Sequence, residues 1–489
     1  MIFSEPRFLL FFLLVFSVHW ALRSNAARKH VLLAASLYFY GSWDARFLAL
    51  IVAASLCDWF CSLRIDAARA RGERSRRWLM VSLCYNLVTL GFFKYFNFFA
   101  DSAVAFLQWL GLPASPVTLQ IVLPVGISFF TFQTMSYTLD VWRGDLKPVR
   151  SPLDFLLYVT FFPQLVAGPI VRAATFLPQL DVARRFRDVD VQRAVGQFLS
   201  GFIKKSVVAD LIAGPVDQVF GPPAGVVVPP GEAFGPPADY SAASIWIAVV
   251  CYAVQIYCDF SGYSDMAIGA ARLLGYELCE NFRFPYLAAN ITDFWRRWHM
   301  SLSSWLRDYL YISLGGNRGS RWFTHRNLML TMLLGGLWHG AGWTFVVWGA
   351  IHGVALVAHK EWLRLVGPGR LSLLARPLTL YTVVLAWIFF RARTWEDSWV
   401  MAKAWLFLGS PGAKEVDLGV SLVDWPLGVR CAVVFGALFA LHFAASRRWH
   451  EAIRRALPSW LVTLLFGAIA AIALSCVPLQ ARPFIYFQF

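Results

Sequence analysis

Apolar runs of membrane-crossing length recur along this chain, separated by short polar or glycine- and proline-rich intervals. About 20 consecutive apolar residues are what an α-helix needs to cross a bilayer core of roughly 30 Å. Five such helices fit within residues 8–142. The next stretch, FLLYVTFFPQLVAGPIVRAATFLPQL, is as apolar but is interrupted by Pro163, Gly168, Pro169 and Pro178. Proline removes a backbone hydrogen bond that lipid cannot replace, so a bent or re-entrant segment is expected there. A helix near 206–220 should lead to a loop rich in proline and glycine over 222–240. The run IWIAVVCYAVQIYCDFSGYSDM then returns and ends at Asp259 and Asp265. Further spans are expected at 328–346, 346–362, 372–391, 427–445 and 458–476. The pattern predicts an all-α polytopic membrane protein with about eleven transmembrane helices plus re-entrant and interfacial pieces. It contains no internal repeat and no soluble domain, so residues 1–489 are expected to form a single membrane-embedded domain.

One long region, 262–327, departs from the apolar pattern. Within it, NITDFWRRWHMSLSSWLRDYLYISLGGNR reads as a helix from Asn290 that stops at Gly315 and Gly316. Helical spacing puts Asp293 on one face with Arg296 and Arg297, and Trp295, His299, Leu302, Ser303 and Leu306 on another. The segment carries too many charges to face lipid. It should lie at the cytoplasmic interface or inside the protein, with Trp295 and Trp298 as amphipathic anchors. The same residues also fit an interfacial helix with solvated arginines and no chemistry.

Composition agrees with the pattern: 58% of residues are hydrophobic and 15% charged, whereas soluble domains carry about a quarter charged residues. The formal net charge of +15 is informative through its placement. Arg23, Arg28 and Lys29 follow the first run, Arg64 to Arg77 follow the third, and Arg143, Lys147 and Arg150 follow the fifth. The loops between them hold little positive charge. By the positive-inside rule the basic loops are cytoplasmic and the N-terminus is periplasmic. Arginines spread over juxtamembrane loops do not form a nucleic-acid surface. The first run, within residues 8–22, has no basic leader, because Glu5 balances Arg7, and reads as a retained helix. The eight cysteines lie mostly in apolar runs without metal-ligand spacing, so no metal site and no disulfide framework is expected.

Candidate chemistry is concentrated in LLGGLWHGAGWTFVVW, residues 333–348. No Asp, Glu, Lys or Arg interrupts it, yet it holds His339, and a titratable side chain inside a membrane segment marks a functional site by default. Gly335, Gly336, Gly340 and Gly342 permit close approach of a substrate or of another helix. A hydrogen-bonded structural histidine is the competing reading. The remaining histidines, among them His19, His30, His325, His359 and His442, read as surface or interface residues; His352 stands apart because it too lies in the uncharged run.

FWRRWHMSLSSWLRDYLYISLGGNR, GGLWHGAGWTFVVWGAIHG, YCDFSGYSDMAIG and FPQLVAGPI resemble the signature blocks of the membrane-bound O-acyltransferase family, most closely its alginate-acetylating branch. The likeness runs in order from the MIFSEPRFLLFF opening to the closing FIYFQF. It implies that His339 is catalytic and that His299 faces it across a tunnel through a funnel-shaped helical domain. Asp293, Trp295, Arg296, Trp298, Ser303, Arg307, Asp308, Trp338, Gly340 and Gly342 would then line or support that tunnel. The donor implied is acetyl-CoA or another acyl thioester, used as substrate, with no bound cofactor. The partners implied are an exported polysaccharide, periplasmic acetyltransferase subunits and the lipid of a bacterial inner membrane. D-alanyl transfer to teichoic acid and a non-catalytic acyl or polysaccharide transporter are the competing functions. Gly342 stands where the family pattern has Asn, which leaves His339 in place but alters the expectation for acceptor preference.

Overall fold

A computed structural model describes residues 1–73, 75–116, 118–166, 168–222, 234–367, 372–409, 411–417, 436, 439–440, 442–447, 456–476 and 485. The expected loop at 222–240 lies mostly outside these residues, and so does most of the expected span at 427–445. No strand occurs among the described residues, where a lone bridge pairs Tyr240 with Lys414. Four described helices are long and apolar enough to cross a membrane: Arg46–Ala70, Arg76–Trp109, Ala242–Leu273 and Leu374–Arg391. Pro6–Ala21 and Ser459–Ser475 are shorter apolar helices.

The chain divides into two compact units. The first comprises Met1–Phe198, Met266–Glu280 and Ser304–Leu310. Its five leading helices are α1 (Pro6–Ala21), α2 (Asn25–Gly41), α3 (Arg46–Ala70), α4 (Arg76–Trp109) and α5 (Ile127–Arg143). The hydrophobic pattern predicts five membrane helices here; of those described, α3 and α4 are long and apolar enough to cross a membrane. The proline-cut stretch does break, into α6 (Pro152–Thr160), α7 (Phe162–Leu165) and α8 (Ala173–Leu180). Between the spans, hydrogen bonds act as well as packing. Buried Asp58 on α3 accepts from Ser82 Oγ and from Asn86 Nδ2 on α4. Thr134 Oγ1 on α5 donates to Asn86 Oδ1 at 3.1 Å. Apolar surface gains little by leaving lipid for protein, so polar contacts of this kind add to helix association.

The second unit comprises Leu199–Asp265, Asn281–Ser303 and Tyr311–Phe489. Asp259 and Asp265 do not end the helix in which they sit. Helix α9 (Ala242–Leu273) continues past both, because each carboxylate meets a lysine. Lys205 lies 3.0 Å from Asp259 and 2.6 Å from Asp210, and Lys204 pairs with Asp265. The helix stops instead at Gly275, whose φ of 86° permits the turn that returns the Tyr276 N–H to the Ala271 carbonyl.

The segment from Asn290 is not one helix, contrary to the spacing argument. It forms α10 (Ile291–Trp295), a turn, α11 (Met300–Trp305) and a π-helical stretch, Leu306–Tyr311. Asn290 caps α10 by accepting from the Asp293 N–H, and Asp293 returns the favour to the Ala289 N–H. The run around His339 is also divided, into α12 (Arg321–His339) and α13 (Trp343–Leu365). Their close antiparallel packing explains the glycines: a Cβ on Gly336 would lie 2.2 Å from the Phe345 carbonyl oxygen, and one on Gly349 would lie 2.3 Å from that of Met332.

Candidate active site

Both histidines singled out from the sequence stand at helix breaks in the second unit. His339 is the last residue of α12, not the middle of a span. It is 4% exposed and enclosed by ring edges: Trp338 and Trp348 at 4.9 Å and Phe390 at 5.3 Å between centroids. His299 occupies the turn between α10 and α11 in a left-handed conformation, φ 42°, which a non-glycine residue adopts only where its surroundings hold it. Its carbonyl accepts the first hydrogen bond of α11, from the Ser303 N–H. Its ring is fully buried, edge-on to Phe260 at 4.6 Å.

The two imidazole centroids are 6.5 Å apart. Subtracting a ring radius of about 1.2 Å for each leaves roughly 4 Å at the nearest, beyond the ~3.2 Å limit of a direct hydrogen bond.

Asn281 was not selected by any spacing argument, and it holds His299 in place. Its Oδ1 lies 3.0 Å from His299 Nδ1 and accepts from the N–H and Oγ of Ser301 at 3.2 and 2.9 Å. Its carbonyl accepts from the Met300 N–H at 2.8 Å, and Arg283 N–H donates to the Arg297 carbonyl alongside. Burial lowers the His299 pKa to about 3, so the ring is neutral.

The other expected residues divide. Trp338 joins the pair, 6.3 Å from His299 and beside His339. Trp298 is buried on Phe294 and against Trp387, and Ser303 Oγ donates to the Trp298 carbonyl. Trp295 lies between Trp348 and His352. Burial raises the Asp293 carboxyl, but hydrogen bonds from Arg297 (2.9 Å) and the Ala289 N–H outweigh it and leave the pKa below the usual range. Arg296 is exposed. Gly340 faces the Phe345 ring, where a Cβ would come within 2.1 Å, whereas a Cβ on Gly342 would make only ordinary contact at 3.6 Å.

Arg307 and Asp308 belong to the first unit and form a network there. Asp308 accepts from Arg172 at 2.6 Å and from Arg307 at 2.7 Å, while Tyr309 donates to both oxygens of Asp140 at 2.8 Å. His19 and His352 are buried, contrary to the surface reading. His352 is boxed by Phe294, Trp295 and Trp348, and neither ring nitrogen has a hydrogen-bond partner among the described residues.

Residues 146–394, which contain both histidines, match the membrane-bound O-acyltransferase family. The "Probable alginate O-acetylase AlgI" of Azotobacter vinelandii is 41% identical over 409 residues, covering 84% of this chain and 79% of that protein. The chain belongs to the membrane-bound O-acyltransferases. The protein of the same name from Pseudomonas aeruginosa is also 41% identical, over 85% of this chain and 77% of its own. The Peptidoglycan O-acetyltransferase of Helicobacter pylori is 36% identical, over 81% of this chain and 78% of its own. This O-acyltransferase is therefore a helical membrane enzyme.

Proposed function

We propose that this O-acyltransferase moves an acetyl group from a thioester to a hydroxyl for the O-acetylation of an exported polysaccharide. The observation that carries the proposal is the buried His299–His339 pair, with ring centroids 6.5 Å apart. The names borne by its relatives, an alginate O-acetylase and a peptidoglycan O-acetyltransferase, support the acetyl group and the glycan acceptor. In this reading His339 is the general base and His299 its partner. As the acceptor oxygen attacks the acyl carbon, its proton passes to imidazole; the C–O bond forms, the C–S bond breaks, and the thiolate leaves with the proton that imidazolium returns. The donor is acetyl-CoA or another acyl thioester. The basic loops, on the cytoplasmic side in this reading, draw in its phosphates electrostatically. The protein sits in a bacterial inner membrane with its N-terminus in the periplasm and hands acetyl groups to the glycan or to periplasmic acetyltransferase subunits.

The test uses purified protein in lipid nanodiscs, acetyl-labelled coenzyme A and glycan oligosaccharides as acceptors. Label should move into a base-labile ester, and His339→Gln should abolish the transfer. Label that stays on the donor would indicate a transporter, and transfer from a D-alanyl thioester alone would indicate the teichoic-acid chemistry.

A further inference from the structure

The tautomer of His299 can be read from the hydrogen bonds of Asn281. A side-chain amide has one oxygen that only accepts and one nitrogen that only donates. The Ser301 main-chain N–H is an unambiguous donor, and it lies 3.2 Å from Asn281 Oδ1. This contact fixes which way round the amide stands, because the reversed amide would set two donors face to face. The far end agrees: Asn281 Nδ2 lies 3.2 Å from Ser264 Oγ, which accepts. His299 Nδ1 is 3.0 Å from the same Oδ1, so Nδ1 must carry the ring proton. A neutral imidazole has one N–H, and the lone pair is therefore on Nε2.

We infer that Asn281 is a positioning residue that locks His299 as the Nδ1–H tautomer, so that this ring enters acyl transfer as an acceptor through Nε2 and not as a donor to the oxyanion. The inference rests on the acyl-transfer reading of the site and narrows it. A partner histidine can hold the acceptor hydroxyl, stabilise the oxyanion or share the proton; a bare Nε2 does the first and third. The backbone supports the same role. Asn281 grips the left-handed turn through its carbonyl to Met300 and its side chain to Ser301, so one residue sets the place of the ring and its protonation. One fixed acceptor on a buried ring favours one tautomer in the way that a carboxylate or carbonyl orients a working histidine. Among the described residues, the rings near His299 include Phe260, Phe282, Trp338 and His339.

Nitrogen-15 spectroscopy on histidine-labelled protein in lipid tests the tautomer directly, with the His299 signals assigned by their loss in His299→Gln. At neutral pH we expect a protonated Nδ1 and a bare Nε2; a protonated Nε2 overturns the inference. Kinetics test the role. Asn281→Asp keeps an acceptor for Ser301 and His299 but adds a charge that favours imidazolium, a shift of about 1–3 pH units. The acid limb of its kcat profile should move upward by about that much, with activity recovering at alkaline pH. Asn281→Ala should lower kcat about tenfold or more at every pH, the scale of losing the group that orients a histidine. If both variants lose activity only in proportion to folded protein, with no moved limb, the positioning role is wrong. If the unmutated protein transfers no acyl group, the functional reading fails, and the spectra still decide the tautomer.

Discussion

His299 and His339 both stand where a helix stops, but the surroundings described for them differ. His299 sits on a strained left-handed turn secured by hydrogen bonds to Asn281. His339 ends a helix whose neighbour packs so closely that Gly336 and Gly340 have no space for a side chain, and aromatic edges surround its ring. Hydrogen bonds are directional, so they set the protonation of a ring as well as its place. Packing is not directional in that sense, and it fixes place alone. The contrast is between a ring tied to a named hydrogen-bond partner and a ring enclosed by packed aromatic edges.

The largest effect tests the shared site. His339→Gln should cost about 10²–10⁴-fold in kcat, the usual worth of a general base, with folding intact by size-exclusion and thermal unfolding. Near-normal turnover would remove His339 from the chemistry. Next comes the packing side of the comparison. Gly336→Ala places a methyl 2.2 Å from the Phe345 carbonyl oxygen, and backbone must move to accept it. We expect a destabilisation of about 1–3 kcal/mol, read as a lowered Tm in detergent. An unchanged Tm would mean that the hairpin is looser than its glycines imply.

The hydrogen-bonded side makes a pH prediction. Unfolded His299 binds a proton below its ordinary pKa of about 6.5, whereas the folded ring does so only below about 3. Between those values the unfolded chain holds the extra proton, so stability falls as pH falls through that window. His299→Gln should lose less stability than the unmutated protein between pH 7 and pH 5, measured by thermal unfolding. Equal losses would show that His299 is not buried neutral. The smallest effect is expected at Gly342, whose extended backbone (φ −166°) and ordinary 3.6 Å contact do not require glycine. Gly342→Ala should change stability by less than about 0.5 kcal/mol. A larger loss would extend the packed hairpin by one more residue.

Much of this was legible in the chain. The five leading helices and the break at Pro163 and Gly168 follow from hydrophobic run length and proline chemistry, which are local. The two histidines stood out because each occupies an unusual setting in the sequence. The continuous helix from Asn290 was wrong because helical spacing cannot reveal a turn imposed by a partner 18 residues earlier, as Asn281 imposes on His299. The helix through Asp259 and Asp265 ran on because lysines far earlier in the chain, Lys205 and Lys204, pair with them. Asn281 itself has no sequence signal: it is one polar residue in CENFRF, a stretch without period or motif.

The sequence by itself determined an all-helical membrane protein and the family to which it belongs, and it drew attention to two imidazoles. Those properties depend on run length, local charge and ordered motifs, all of which are written along the chain. Only the tertiary structure decided that both imidazoles sit at helix ends, that their ring centroids lie 6.5 Å apart, and that Asn281 is the hydrogen-bond partner of His299. Each of these depends on contacts between residues far apart in the chain, and hydrophobic periodicity holds no record of them.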